Sequence, residues 1–178
     1  MNSKEIEERA YELLGKLNVS SFPVPVEEMA RELGIRVHYE PFDGDLSGIL
    51  LRDEDRTIIG INSRHATVRQ RFTVAHELGH FLLHTGSKVH IDREFRVNFR
   101  DTGHIAGSVA EEMEANRFAA ALLMPGSLVR EAFRRKTTNG FDLLGDDDEA
   151  VEVIQKLARD FKVSYQALLI RLGELGLH

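Results

Sequence analysis

The sequence predicts an α+β fold, a small antiparallel sheet packed on helices. Three observations predict it. Apolar residues at helical spacing occupy both ends of the chain. Three short β-branched or aliphatic runs lie together between residues 35 and 61, and a long helical run follows them directly. The 178 residues and 42% hydrophobic content suit one globular domain with a sizeable core.

The elements follow in order. Ser3 is read as the cap of a first helix that carries Ile6, Ala10, Leu13, Leu14 and Leu17 on one face, with Glu5, Glu7 and Glu8 near its positive end. A second helix starts with Pro25 in its first turn, buries Val26, Met29, Ala30 and Leu33, and stops at Gly34, which can take the left-handed cap conformation. Ile35 to Tyr39, Leu46 to Leu51 and Thr57 to Ile61 read as the strands, with charged Arg52 to Arg56 joining the last two. Ser63 can cap the long helix and Gly86 can end it. Val68, Phe72, Ala75, Gly79, Leu82 and Leu83 form its packed arc, with His76 and His80 to one side and Glu77 farther round, facing a cleft. Gly79 costs about 1 kcal/mol relative to alanine inside a helix, which points to a close backbone crossing.

Thr85 to Ala110 has poor helical period, and its apolar set Val89, Ile91, Phe95, Val97 and Phe99 partly alternates, as in a strand pair or a lid. Helical period returns from Glu111 through Ala115, Phe118, Ala119 and Leu122 and ends at Pro125 and Gly126. Ser127 to Lys136 is a further helix, and Thr137 to Asp148 an acidic surface loop. Glu149 to Phe161 and Ser164 to Leu175 close the chain as two helices, with Ser164 as a cap.

Composition excludes several classes of function. The absence of cysteine rules out disulfide staples and thiolate metal sites and fits a cytoplasmic location, so any metal must use His, Asp or Glu. The N-terminus has no basic region followed by an apolar core, and no membrane-length apolar run occurs, so neither secretion by a standard signal nor membrane insertion is expected. A formal charge of −6 opposes broad nucleic-acid affinity.

The chemistry concentrates in His76-Glu77-Leu78-Gly79-His80 on the long helix. Residues four apart on a helix share a face at about 6 Å, so two imidazoles reach one metal ion while the glutamate stays beside it. This is the core of a zinc hydrolase site, with neutral imidazoles as ligands and a carboxylate as general base. Catalytic zinc usually takes three protein ligands, so one is missing. The extended pattern of one large zinc-protease group is excluded, because Leu83 and Gly86 stand where it needs glycine and histidine. His84 sits about 80° from His76 around the helix axis and reads as a helix-end histidine near the negative dipole. On the helix after Glu111, spacing favours Glu112 or Glu111 over Glu114 as the third ligand, and Asn116, one turn on, could hydrogen-bond a ligand imidazole. Equally, these acidic residues could simply favour the positive end of a helix.

Two strings, Arg71-Phe72-Thr73-Val74-Ala75-His76-Glu77-Leu78-Gly79-His80 and Glu112-Met113-Glu114-Ala115-Asn116-Arg117-Phe118-Ala119-Ala120-Ala121-Leu122-Leu123-Met124-Pro125, resemble the ImmA/IrrE family of zinc-dependent metallo-endopeptidases. The resemblance spans residues 20 to 175 and includes Val163-Ser164-Tyr165-Gln166-Ala167-Leu168-Leu169-Ile170-Arg171-Leu172 near the end. It implies Zn2+ held by His76, His80 and Glu112, with Glu77 as the base. It also implies an intracellular protease acting on a helix-turn-helix (Xre-type) repressor, often encoded nearby, to derepress genes. One domain over residues 1–178 is expected, with N-terminal helices and a small sheet (1–62), zinc-site helices and a lid (63–136) and a C-terminal helix pair (149–175). Unlike some relatives, the chain shows no recognisable DNA-binding domain ahead of the protease part and no sensor domain behind it.

Two other readings remain. A repressor-binding module with a structural or vestigial metal would not need Glu77. A transcription factor would rest on the tail and on Arg64, Arg69 and Arg71, yet the second tail helix has Arg171 as its only basic residue, and no direct nucleic-acid contact is expected. His90 and His104 lie in the candidate lid and could donate a hydrogen bond to a developing oxyanion. His38, His65 and His178 carry no arguable chemistry.

Overall fold

The computed structural model describes residues 1–84, 88–93, 109–136 and 148–177. The order is α1 (Ser3–Lys16), α2 (Val26–Glu32), β1 (Ile35–Glu40), β2 (Leu46–Arg52), β3 (Thr57–Asn62), α3 (Thr67–Leu83), β4 (Val89–Arg93), α4 (Val109–Leu123), α5 (Gly126–Lys136), α6 (Asp148–Phe161) and α7 (Tyr165–Glu174). The α+β class is as the sequence predicts.

The sheet is mixed rather than wholly antiparallel, in the order β1-β3-β2-β4. β2 pairs antiparallel with β3 and with β4, whereas β1 pairs parallel with β3, from Ile35 opposite Thr57 to Glu40 opposite Asn62. The cause is topological: the β2–β3 hairpin occupies the place beside β1 with its second strand, which runs the same way as β1. Among the described residues β4 is an edge strand, and its register with β2 is irregular between Leu46 and Gly48.

Helix α3 lies between the sheet, where it packs on β2 and β3, and α4, which in turn packs on α1. This sandwiching buries every residue from Thr73 to His80, a full ring of the helix and not only one face. Leu82, which its period places in the packed arc, is instead exposed. At the α3–α4 crossing a Cβ on Gly79 would lie 3.0 Å from the Ala115 Cα, so the glycine does permit a close backbone approach.

Several helix starts differ from expectation. Asn2 caps α1 through a capping box, its Oδ1 accepting from the Glu5 amide at 3.0 Å while the Glu5 carboxylate accepts from the Asn2 amide at 2.9 Å. Ser3 is the first helical residue. Pro25 is the N-cap of α2, and Gly34 beyond its end has φ +76°. α3 begins at Thr67 with Ala66 as N-cap, because the residues after β3 turn back on buried Asn62, whose Oδ1 accepts from the Arg64 amide at 3.1 Å and whose Nδ2 donates to the Leu46 carbonyl at 2.8 Å. Ser164 caps α7 as expected, accepting from the Ala167 amide at 3.1 Å. Gly86, most of the acidic loop from Thr137 and much of the candidate lid fall outside the described residues; within that lid, residues 89–93 form β4. Among the described residues no helix is long and apolar enough to cross a membrane.

Candidate metal centre

Three elements converge beneath the sheet edge. α3 contributes His76, Glu77 and His80, α4 contributes Glu112, and β4 contributes His90 and Asp92. His76 and His80, one turn apart, bring their Nε2 atoms to 3.0 Å. Glu112 faces both, with Oε2 at 3.3 Å from His76 Nε2 and Oε1 at 3.4 Å from His80 Nε2. His90 Nε2 lies 3.3 Å from the same Oε1. A tetrahedral ion with bonds of about 2.0–2.1 Å sets its ligand atoms about 3.3–3.4 Å apart, so the donor set fits one divalent cation. The buried group His76, His80, His90 and Glu112 could hold a metal ion.

The surroundings aim these donors inward. Asn116 Oδ1 lies 3.0 Å from His76 Nδ1; with the proton on Nδ1, that bond leaves the Nε2 lone pair facing Glu112 and His80. His80 Nδ1 lies 3.1 Å from His84 Nδ1, and His84 Nε2 lies 3.0 Å from Glu114 Oε2. Arg52 Nη2 donates to the His80 carbonyl at 2.5 Å and the His84 carbonyl at 3.0 Å, capping the end of α3. Glu77 is fully buried beside β2, where a Cβ on Gly48 would lie 2.8 Å from its Oε1, and neither carboxylate oxygen has a hydrogen-bond partner among the described residues. A second group, His76, Glu77 and Asp92, also lies within ligand distance of one another.

Electrostatics follow from burial. Burial opposes the charge on His76, but Glu112, Asp92 and Glu77 around it raise its pKa to about 9. Burial, helped by neighbouring His76 and His90, lowers His80 to about 4 despite Glu112. Burial works to raise Glu112, yet its contacts with His76 and His80 hold it far below the usual carboxylate range. Burial, with Asp92 and Glu112 nearby, pushes Glu77 up to about 8, and burial raises Asp92 to about 6.

The structure thus brings together His76, His80, Glu112, Glu77 and Asn116. Glu114 points to His84 instead, and His84 touches a neighbouring imidazole rather than standing apart at the helix end. His90 faces the donor cluster from a strand, while His104 lies outside the described residues. Sequence reasoning missed Asp92 and the placement of His90. The period-two pattern held the signal, since Val89 and Ile91 on one face of β4 put His90 and Asp92 together on the other. The basic cluster is occupied within the fold: Arg64 pairs with Asp43 at 2.7 Å, Arg69 donates to Ser47 Oγ at 2.9 Å and Arg71 to the Val24 carbonyl at 2.7 Å. Arg171 is buried, donating to Glu7 at 2.7 Å and to the Met124 carbonyl at 3.1 Å, so it ties α7 to the core and presents no charge to a ligand.

Comparison with known proteins agrees with this architecture. No curated protein matches the chain in sequence. A Mycobacterium tuberculosis transcriptional regulator has a similar fold, with a TM-score of 0.58 and 16% identity over 94% of this chain and 46% of the regulator. The chain therefore spans just under half the length of that protein. The family model of the IrrE N-terminal-like domain, Peptidase M78, matches residues 30–173. With that match over most of its length, the chain belongs to the Peptidase M78 family of IrrE N-terminal-like domains and has a metallopeptidase fold.

Proposed function

We infer that the protein is a cytoplasmic zinc metallo-endopeptidase that cleaves a helix-turn-helix repressor of the Xre type and so derepresses genes. The observation that carries this reading is Glu77, a fully buried carboxylate within ligand distance of His76, itself one of the His76, His80, His90 and Glu112 donors, and of a second carboxylate, Asp92. A scaffold that only holds metal gains nothing from an enclosed acid whose oxygens lack hydrogen bonds among the described residues.

His76, His80 and Glu112 would hold the ion, and Zn2+ suits a set of two imidazoles and one carboxylate. When bound, it would polarise the scissile carbonyl and acidify the attacking water. Glu77 takes the proton of that water on a carboxylate oxygen and passes it to the leaving amine. Burial in the metal-free site pushes its pKa up to about 8, and a bound dication beside it would draw that value down, toward a carboxylate that can accept a proton near neutral pH. Asn116 keeps the His76 ring oriented, and His84 does the same for His80. The partner is proposed from the family, whose members act on such repressors, and the first candidate is one encoded beside this chain.

The second reading, a repressor-binding module with a structural metal, draws on one observation: His90 brings the donor cluster to four groups, the number typical of closed structural sites. A repressor-controlled reporter separates the two. Wild type and Glu77→Gln are compared at matched levels, with the repressor followed by immunoblot. The protease reading expects induction and repressor fragments with wild type alone. Equal induction by both proteins, without fragments, would establish the binding module instead.

A further inference from the structure

His90 is placed by the sheet, not by the helix that carries the sequence motif. β4 pairs with β2 so that His90 lies opposite Leu50 and Asp92 opposite Gly48. Cross-strand partners share a face. Leu50 is fully buried and a Cβ on Gly48 would meet Thr73 and Glu77 of α3, so this face looks at α3. His90 is accordingly only 4% exposed, its ring stacks on that of His80 at 3.7 Å between centroids, and its Nε2 is 3.3 Å from Glu112 Oε1. That separation matches the two other contacts of Glu112, 3.3 Å with His76 and 3.4 Å with His80, while the His76 and His80 Nε2 atoms lie closer together, at 3.0 Å. The Glu112 separations are the edge length of a tetrahedron about a zinc-sized ion, about 3.3–3.4 Å.

We propose that His90 is a fourth protein ligand, which closes the coordination sphere of the substrate-free protein and must leave for catalysis. The proposal rests on the metallopeptidase reading, because only a catalytic ion needs an open position. The exchange replaces one neutral donor, an imidazole, by another, a water molecule or peptide carbonyl, so the charge of the centre does not change. His90 sits on the element best suited to such an exchange. Among the described residues β4 is an edge strand that pairs with β2 alone, and its pairing is already irregular between Leu46 and Gly48, next to the partners of Arg93 and Asp92. The sequence motif does not contain this residue, and three ligands suffice for a zinc hydrolase, so His90, besides adding to the hold on the ion, keeps it idle.

Cobalt(II) tests this without any assay of activity. The protein, its His90→Ala variant and its His90→Phe variant, which keeps a ring to stack on His80 but has no donor atom, are loaded with cobalt, and affinity is read by chelator competition. Their visible spectra are recorded with and without azide. The wild type should show the intense bands of a four-coordinate ion and ignore azide. Both variants should bind cobalt more weakly, by at least the 10–100-fold that even an outer-shell change costs, and their spectra should shift on adding azide to the vacated position. Unchanged affinity in both variants, together with an azide response equal to that of the wild type, would overturn the fourth-ligand assignment and leave His90 as a packing residue. A wild type that binds no cobalt would overturn it together with the metal centre. Failure of the metallopeptidase reading is seen separately, as expected cobalt spectra in a protein that cuts no repressor.

Discussion

Glu77 and Glu112 are both buried carboxylates of one site, yet their surroundings push them in opposite directions. Two imidazoles hold Glu112 ionised, whereas Glu77 has no comparable partner and rises to about 8. Replacing Glu112 with alanine removes the only anionic donor of its cluster with His76, His80 and His90 and leaves three imidazoles, so it should weaken metal binding by well over 100-fold, while Glu114→Ala, which only loosens His84 behind His80, should cost no more than the 10–100-fold typical of an outer partner. Metal analysis after dialysis against a chelator reads the difference, and a fully loaded Glu112→Ala protein would refute that ligand. Gly48 offers a subtler test. A Cβ there would lie 2.5 Å from Thr73 Cγ2 and 2.8 Å from Glu77 Oε1, so Gly48→Ala should push the base aside. A displacement of about 1 Å costs on the order of 10²-fold in rate, so cleavage should collapse with metal content near normal. The motif histidines, Glu77 and the preference for Glu112 over Glu114 were legible because helical spacing alone decides which side chains share a face. His90 and Asp92 were not, because their placement depends on β4 pairing with β2, a contact between distant stretches of chain.

At the scale of elements, the crossing of α3 and α4 decides whether the site exists, since it sets His76 and His80 against Glu112. Gly79 permits it. A Cβ would already sit 3.0 Å from the Ala115 Cα, so Gly79→Val should force the helices apart and destabilise the protein by about 1–3 kcal/mol, the range for overpacking. Denaturant unfolding checks the stability. Metal affinity should fall in parallel, and a variant as stable as the wild type would show that the crossing does not depend on the glycine. A glycine inside an apolar helical arc was a readable sign of this contact. The first three strands, too, were readable to within a residue at their ends, from β-branched runs such as Thr57 to Ile61, whereas β4 was not bounded. The parallel pairing of β1 with β3 was not, because strand order depends on long-range packing on α3 rather than on any local pattern. Likewise Asn2 displaced Ser3 as the cap of α1 because Glu5 stands three residues after Asn2 and completes a capping box.

For the molecule as a whole, Arg171 and the acid–base state of the metal centre govern stability. Arg171 joins α7 to α1 through Glu7 and to the end of α4 through the Met124 carbonyl, so Arg171→Met takes a donor from that carbonyl and from partly exposed Glu7, which keeps the Tyr11 hydroxyl, and should cost no more than about 3 kcal/mol, the low end for a broken buried pair. A thermal melt tests it, and an unchanged Tm would remove the arginine from the core's account. Metal-free protein should also respond to pH with a definite sign. His76 rises from 6.5 to about 9 and Glu77 from 4.5 to about 8, so the folded state binds more protons than the unfolded one: the His76 contribution is whole below pH 6.5 and lost by about 9, the Glu77 contribution is whole below pH 4.5 and lost by about 8, and stability falls as pH climbs from 6.5 to about 9. His80 and Asp92, with pKa values of about 4 and 6, have finished titrating by then. Each pKa unit is worth about 1.4 kcal/mol, and each kcal/mol about 2–4 °C in Tm for a chain of this size, so the metal-free Tm should fall by on the order of 10 °C across that window. Bound metal already excludes the His76 proton and should reverse the trend; a Tm independent of pH without metal would contradict the coupling. The central claim, that this fold is a peptidase whose base is Glu77, is tested most directly on purified protein. Metal content and cleavage of the neighbouring helix-turn-helix repressor are measured on the same preparations of wild type and Glu77→Gln. The account predicts equal metal in both and turnover at least 10²-fold lower in the variant. Repressor cleaved by Glu77→Gln at the wild-type rate, with equal metal, would contradict it.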